Sequence, residues 1–284
     1  MDSSTLLGIT TFTYLFAAIL YLVVFIFKIQ QLSKVATWFT AFALLVQTLG
    51  IALRWYESYE MGIGRAPLTN MYESVVFFAW TIVALYLFIE WKFKIQAIGV
   101  FTVPLAFLAM AYASMSTNIT KAITPLVPAL QSNWLISHVV TCFIGYAAFA
   151  IAAALGAMYL LKKRSEAPET TRSTGFLASL PPLQTIDMIT HQMMVFGFIW
   201  LTAGIITGAV WANSAWGTYW SWDPKETWSL ITWFVYAITL HARYTRGWGG
   251  SRIAWLALIG FCSVIFTYYG VNFLLSGLHS YGSG

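Results

Sequence analysis

Charge is what this sequence has least of. Of its 284 residues, 15 are Lys or Arg and 10 are Asp or Glu, so charged residues make up only 9%. A soluble domain carries about 25%. So few charges cannot cover a water-facing surface, which excludes a cytosolic globular enzyme, a disordered chain and a nucleic-acid binder. The pI of 9.1 would point to nucleic acid only if the basic residues gathered on a soluble face, and here they sit between apolar runs. Cysteine is scarce too. Cys142 and Cys262 both lie in apolar runs, with no C-x-x-C pair and no metal-ligand spacing. They read as buried, inert thiols, and thiol–disulfide catalysis is not expected. A cleaved signal peptide is not expected either: Met1-Asp2 has no basic flank, and the first apolar run lacks a small-residue cleavage site.

Apolar surface is abundant. Hydrophobic residues reach 59%, and 14 Trp, 15 Tyr and 21 Phe bring the aromatics to 18%. A membrane-spanning helix needs about 20 mostly apolar residues. Eight stretches qualify: 5–27, 36–54, 72–91, 95–114, 134–161, 191–212, 228–245 and 253–275. The expectation is an all-α polytopic membrane protein of about eight transmembrane helices, forming a single integral membrane domain over 1–284. The polar 162–187 segment is too short to build a soluble core. With an outside N-terminus, only Arg54, Arg65, Lys121 and Lys225 fall in outer loops, and the other 11 basic residues fall inside. The positive-inside rule therefore puts both termini outside.

Six tryptophans crowd between 211 and 233: Trp211, Trp216, Trp220, Trp222, Trp228 and Trp233. An interfacial aromatic belt accounts for two or three Trp at a boundary. It does not readily account for Trp216-Gly-Thr-Tyr-Trp220-Ser-Trp222-Asp-Pro-Lys-Glu-Thr-Trp228, a run interleaved with polar residues. Asp223-Pro224-Lys225-Glu226 has the form of a helix start, with an Asp cap, Pro at the first helical position and Glu three residues after the cap. Asp223 and Glu226 then fix the seventh helix. The tryptophans of the 213–228 segment form a rigid shelf, suited to a flat, apolar, π-rich ligand.

His138, near the start of the fifth span, and His279, after the eighth, share the outer side with this segment. Singly, a His at a membrane boundary is more often a hydrogen-bonding residue than a ligand. Together, two imidazoles flanking a planar aromatic shelf are what bis-histidine ligation of haem needs. Zinc wants three or four ligands and finds no further Cys or His outside. His241 follows Trp228 by 13 residues, about 20 Å deeper along a helix, and His191 opens the sixth span from inside. Arg54 or Arg65 outside, and Arg243 or Arg246 near His241, are candidates to pair with ligand carboxylates. Setting topology is their plainer role. Asn70 and Glu73 read either as second-shell residues or as a helix cap.

The run Trp216-Gly-x-x-Trp220-x-Trp222-Asp-Pro-x-Glu226 resembles the WWD signature of haem-handling proteins in cytochrome c maturation. Three stretches are similar to the CcsA (ResC) family of System II cytochrome c biogenesis: Trp222-Asp-Pro-Lys-Glu-Thr-Trp-Ser-Leu-Ile-Thr-Trp233, Leu240-His241-Ala-Arg243, and Gly270-Val-Asn through Gly277-Leu-His279-Ser-Tyr-Gly282. Pro67-Leu-Thr-Asn-Met-Tyr-Glu-Ser74 resembles that family's N-terminal half. The resemblance implies a protein of the bacterial cell membrane or thylakoid membrane with its active face outward. It implies that haem b (iron protoporphyrin IX) is brought across and presented outside for thioether attachment to the C-x-x-C-H segment of apocytochrome c. It further implies that His138 and His279 are axial ligands of the outer haem, beside Trp216, Trp220, Trp222, Asp223 and Trp228. His241 would ligate a haem within the membrane, opposite a ligand from a separate CcsB (ResB)-type partner. The implied setting is a subunit of a holocytochrome c synthase complex in membrane lipid, with thiol-reducing proteins acting indirectly and no nucleic acid. A System I WWD protein of CcmC or CcmF type, a haem b electron-transfer subunit and a transporter of another small solute are the competing readings.

Overall fold

In hydrocarbon, a spanning segment must satisfy its own backbone N–H and C=O groups, so long apolar runs become helices. The computed structural model describes residues 2–166 and 176–275, and no strand occurs among them. Eight long helices alternate in direction: α1 Ser3–Phe27, α2 Gln30–Glu60, α3 Met71–Phe93, α4 Gly99–Met115, α5 Asn133–Ser165, α6 Leu183–Trp216, α7 Pro224–Arg246 and α8 Ser251–Leu274. All but α7 are long and apolar enough to cross a membrane, which makes this an integral membrane protein. The 23 residues of α7 span about 34 Å, enough to cross. What lowers its apolar content is Lys225, Glu226, His241, Arg243 and Arg246. It packs between α6 and α8.

The helices overrun their expected bounds where a partner satisfies a polar side chain. The second was expected over 36–54 and continues through Glu60, because Arg54 and Glu57 are both engaged. Ser3 at the start of α1 donates its backbone N–H (2.8 Å) and its hydroxyl (2.5 Å) to Glu57. The eighth helix widens into a π-type turn over Phe266–Gly270. The expected helix start at Asp223 is present: Asp223 accepts from the Lys225 N–H at 3.0 Å, and Glu226 accepts from the Asp223 N–H at 3.2 Å. Asn70 and Glu73 form the equivalent capping box on α3. One expectation fails. Cys142 is buried, but Cys262 is exposed on α8, on the side of that helix turned away from the bundle.

The bundle is organised on α5, which packs against α3, α4, α6 and α8. Ala147, Ala148, Ala150 and Ala152 have no exposed surface. Such small residues let backbones approach, which drives helix association where lipid is as apolar as the core. A Cβ on Gly156 would lie 2.8 Å from the Ala254 carbonyl of α8, and one on Gly145 would lie 3.1 Å from the Gly197 carbonyl of α6. Tyr236 of α7 stacks on Phe149 of α5 at 3.5 Å and fills the space left by Gly260 of α8.

Polar contacts mark the two ends of the bundle. At one end, the α2–α3 and α4–α5 loops meet the starts of α3, α5 and α7. At the other, Asp187 of α6 takes a bidentate bond from Arg243 of α7 (3.1 and 2.7 Å) and a third from the Gly250 N–H (2.8 Å). Glu90, almost fully buried there, accepts from Thr37 at 2.6 Å and from Tyr86 at 2.5 Å.

Replacing Gly156 by Ala should cost about 1–3 kcal/mol, because the opposing atom is backbone and cannot rotate away. A Cβ added at Gly8 would meet nothing within 4 Å. Gly8→Ala should therefore be neutral or stabilising by up to about 1 kcal/mol. Thermal unfolding of the two variants in detergent checks the contrast.

Candidate functional site

A cavity opens at the loop-rich end, with about 170 Å³ available to the centres of water-sized molecules. Its walls come from α3, α5, α6, α7 and α8 and from the tryptophan loop. Phe143, Tyr146, Trp211, Tyr219, Trp220 and Tyr268 make it aromatic. His138 of α5 lines it as well, beside Cys142.

The setting of His138 is specific. Its Nδ1 lies 2.7 Å from the Gly204 carbonyl on α6. A carbonyl only accepts, so Nδ1 carries the proton and Nε2 keeps its lone pair. A hydrogen bond of this kind fixes tautomer and ring orientation in metal-ligating histidines and raises their basicity. Gly208, one turn further along α6, leaves the space that the ring occupies: a Cβ there would lie 2.6 Å from Nδ1. Trp211 stacks near-parallel on the imidazole at 6.0 Å and is itself buried. One neutral imidazole with a free nitrogen, in an aromatic cavity, suits iron or another imidazole-binding metal.

The tryptophan segment divides. Trp220 lines the cavity, and Trp216 packs edge-on against Trp211 at 4.9 Å. Trp222 is turned out to solvent, 68% exposed, with a left-handed backbone at φ 61°, and it meets Trp220 edge-on. Trp228 faces away and packs on Phe266 of α8 at 4.2 Å. Asp223 caps α7. The structure thus gathers His138 and Trp220 around one cavity, sets Trp216 behind the lining residue Trp211, and leaves Trp222, Asp223 and Trp228 out of the lining. His279 lies outside the described residues. His241 stands towards the other end of the bundle, exposed on the α7 face that also carries Ile231, Phe234 and Ile238. His191 meets Tyr244 edge-on at 5.4 Å, and its buried Nδ1 has no hydrogen-bond partner among the described residues.

Three of the four arginines proposed for carboxylate binding are committed elsewhere, and the fourth, Arg246, is exposed in the last turn of α7. Arg54 and Arg65 both bind Glu73, Nε to Oε1 at 2.9 Å and Nη1 to Oε2 at 2.6 Å, and all three side chains are at most 5% exposed. Arg54 also donates to the Lys121 carbonyl, and Arg65 to the Thr124 carbonyl. The cluster ties the two loops together and seats Leu68, Thr69 and Asn70 in the cavity wall. Arg243 is occupied by Asp187. Sequence reasoning passed over Lys225, Asn272, Tyr268 and Ser74 as cavity residues. Tyr268 and Asn272 sit one helical turn apart on α8, a spacing with no signal of its own until α8 is placed.

Fold and cavity together define a polytopic all-α membrane protein with a ligand-sized aromatic cavity at one end of the bundle. The model of the family described as cytochrome c assembly protein matches residues 68–279, which contain every cavity-lining position. A cytochrome c biogenesis protein CcsA of Guillardia theta is 42% identical, over 97% of this chain and 95% of that one. The CcsA of Gloeobacter violaceus is 38% identical, over 90% and 88%. The solved structure of a cytochrome c haem lyase, CcmF, has the same fold with a TM-score of 0.68 at 17% identity. It covers 94% of this chain, which spans about half (47%) of that one. The chain belongs to the cytochrome c assembly family, within its CcsA group.

Glu73→Gln should leave two buried guanidinium groups without their counter-charge, at a cost of about 3–5 kcal/mol. The expected result is a marked drop in the thermal midpoint in detergent.

Proposed function

We propose that this chain binds haem b in the His138 cavity, helps deliver it across the membrane, and presents it at the outer face for attachment to apocytochrome c. Family membership carries the coarser part, a role in cytochrome c biogenesis. The observation that carries the finer part is the bond from His138 Nδ1 to the Gly204 carbonyl, which prepares Nε2 as a ligand within an aromatic cavity. Porphyrin faces suit the rings of Trp220, Phe143 and Tyr146, and iron suits the imidazole. His279 is the proposed second axial ligand. The whole chain, 1–284, acts as one membrane unit, and its 213–228 segment forms the outer platform.

When bound, haem supplies two vinyl groups, across which the two thiols of C-x-x-C-H add to form thioethers. The chain's part is to hold the ring and exclude water. Trp216 and Trp211 fix the imidazole from behind, and Trp220 closes one wall. Trp222, exposed at the rim, is placed to meet the incoming polypeptide. His241, on an exposed apolar face of α7, is the proposed ligand of a haem within the membrane, shared with a CcsB (ResB)-type partner. Of the competing readings, a transporter of another solute predicts a colourless protein.

Purified with its partner, the protein should show the absorption of six-coordinate haem. His138→Gly and Gly208→Val should lose most of the outer-site absorption, and imidazole in the buffer should restore it for His138→Gly alone. A colourless wild-type complex would overturn the proposal. In a Cys262→Ser background, Tyr219→Cys should react with a membrane-impermeant maleimide on intact cells, and Thr245→Cys only after lysis. The reverse pattern would invert the orientation.

A further inference from the structure

Among the described residues that line the cavity, Lys225 is the only Lys or Arg. It opens α7, so its ammonium adds to the positive end of that helix. Its Nζ donates to Asn272 Oδ1 at 2.8 Å. The Asn272 amide cannot turn round, because its Nδ2 donates to the Tyr268 carbonyl at 2.7 Å. The side chain of α8 therefore presents oxygen to the ammonium and steers it into the wall of the cavity. Asp223, which caps α7, also bears electrostatically on this ammonium, and Glu226 accepts the Ser221 and Asp223 N–H bonds.

A cation in the wall of an aromatic, half-closed cavity attracts an anion more strongly than it would in open water, because the surroundings screen it less. Arg54, Arg65 and Lys121, the other described cations at this end, do not line the cavity. We propose that Lys225, held by Asn272, is the carboxylate-recognition residue of this cavity, and that the ligand is a flat apolar body with an acidic side chain at its edge. This rests on the haem reading above, and the acid is then a propionate of the porphyrin. Lys225 sets which way round the ring enters, with its acidic edge towards α7 and α8 and its remaining edges towards the tryptophan loop.

The test compares iron protoporphyrin IX with its dimethyl ester, which has the same ring and iron but no carboxylate. Each is titrated into pigment-stripped, full-length protein purified with its membrane partner, and binding is read from the absorption spectrum. The quantity compared between chains is the ratio of the two affinities, so the ester's own partition into detergent cancels. Wild type should prefer the free acid by roughly tenfold to a hundredfold over the ratio in Lys225→Met. Lys225→Arg should keep most of the preference and serves as the folding control. His138→Gly should weaken both porphyrins and leave the ratio intact. If Lys225→Met keeps the wild-type ratio, the inference falls and the haem reading stands. If wild type binds neither porphyrin, both fall.

Discussion

The site depends on how closely α5 and α6 approach. Gly145 lies against the Gly197 carbonyl, Gly204 against Cys142, and Gly208 against the ring of His138. A side chain at any of these glycines would push the helices apart. The Gly204 carbonyl would then withdraw from His138 Nδ1, and the imidazole would lose both its tautomer and its direction. Trp211 completes the clamp from the same helix. In lipid, where apolar surface gains little from helix contact, this close fit is itself the driving force. The same contact that holds the bundle together therefore sets the chemistry of the histidine in its cavity.

Charge is used sparingly, and mostly to tie loops to helices. Glu73 binds two arginines from the α2 end of the structure and organises the loops over the cavity. Asp187 and Arg243 join α6 to α7 at the far end, where the Gly250 N–H adds a third bond. Lys162 of α5 donates to the carbonyls of Leu180 and Pro181, 2.7 Å each, and pins the segment before α6. These charges are paired or hydrogen-bonded because an unpaired one at membrane depth is expensive. Lys225 is hydrogen-bonded as well. It faces a cavity large enough for a ligand, and it is aimed there by a neutral amide.

Much of the fold was legible in the sequence, because length and hydropathy act locally. All eight expected segments are helices. The cap at Asp223 was legible for the same reason, since Asp, Pro and Glu act within one turn. The bounds were less so: α2 runs on through Arg54 and Glu57 because residues far along the chain satisfy them. Cys262 misled, since an apolar run says nothing about which face looks out. Of the site, the sequence singled out His138 and the tryptophan run. It could not divide Trp220, at the cavity, from Trp216, which packs on Trp211, or from Trp228, which packs on Phe266.

By itself, then, the sequence determined a helical membrane protein, its approximate spans and a histidine and tryptophan set pointing to haem. These follow from the solvent, which demands apolar helices, and from residue types whose chemistry is narrow. Only the tertiary structure decided which nitrogen of His138 stays free, that Arg54 and Arg65 are spent on Glu73, and that Lys225 and Asn272, distant in sequence, share a cavity wall. Those outcomes depend on where helices touch. In this protein, that is set by glycine and alanine contacts that sequence periodicity does not encode.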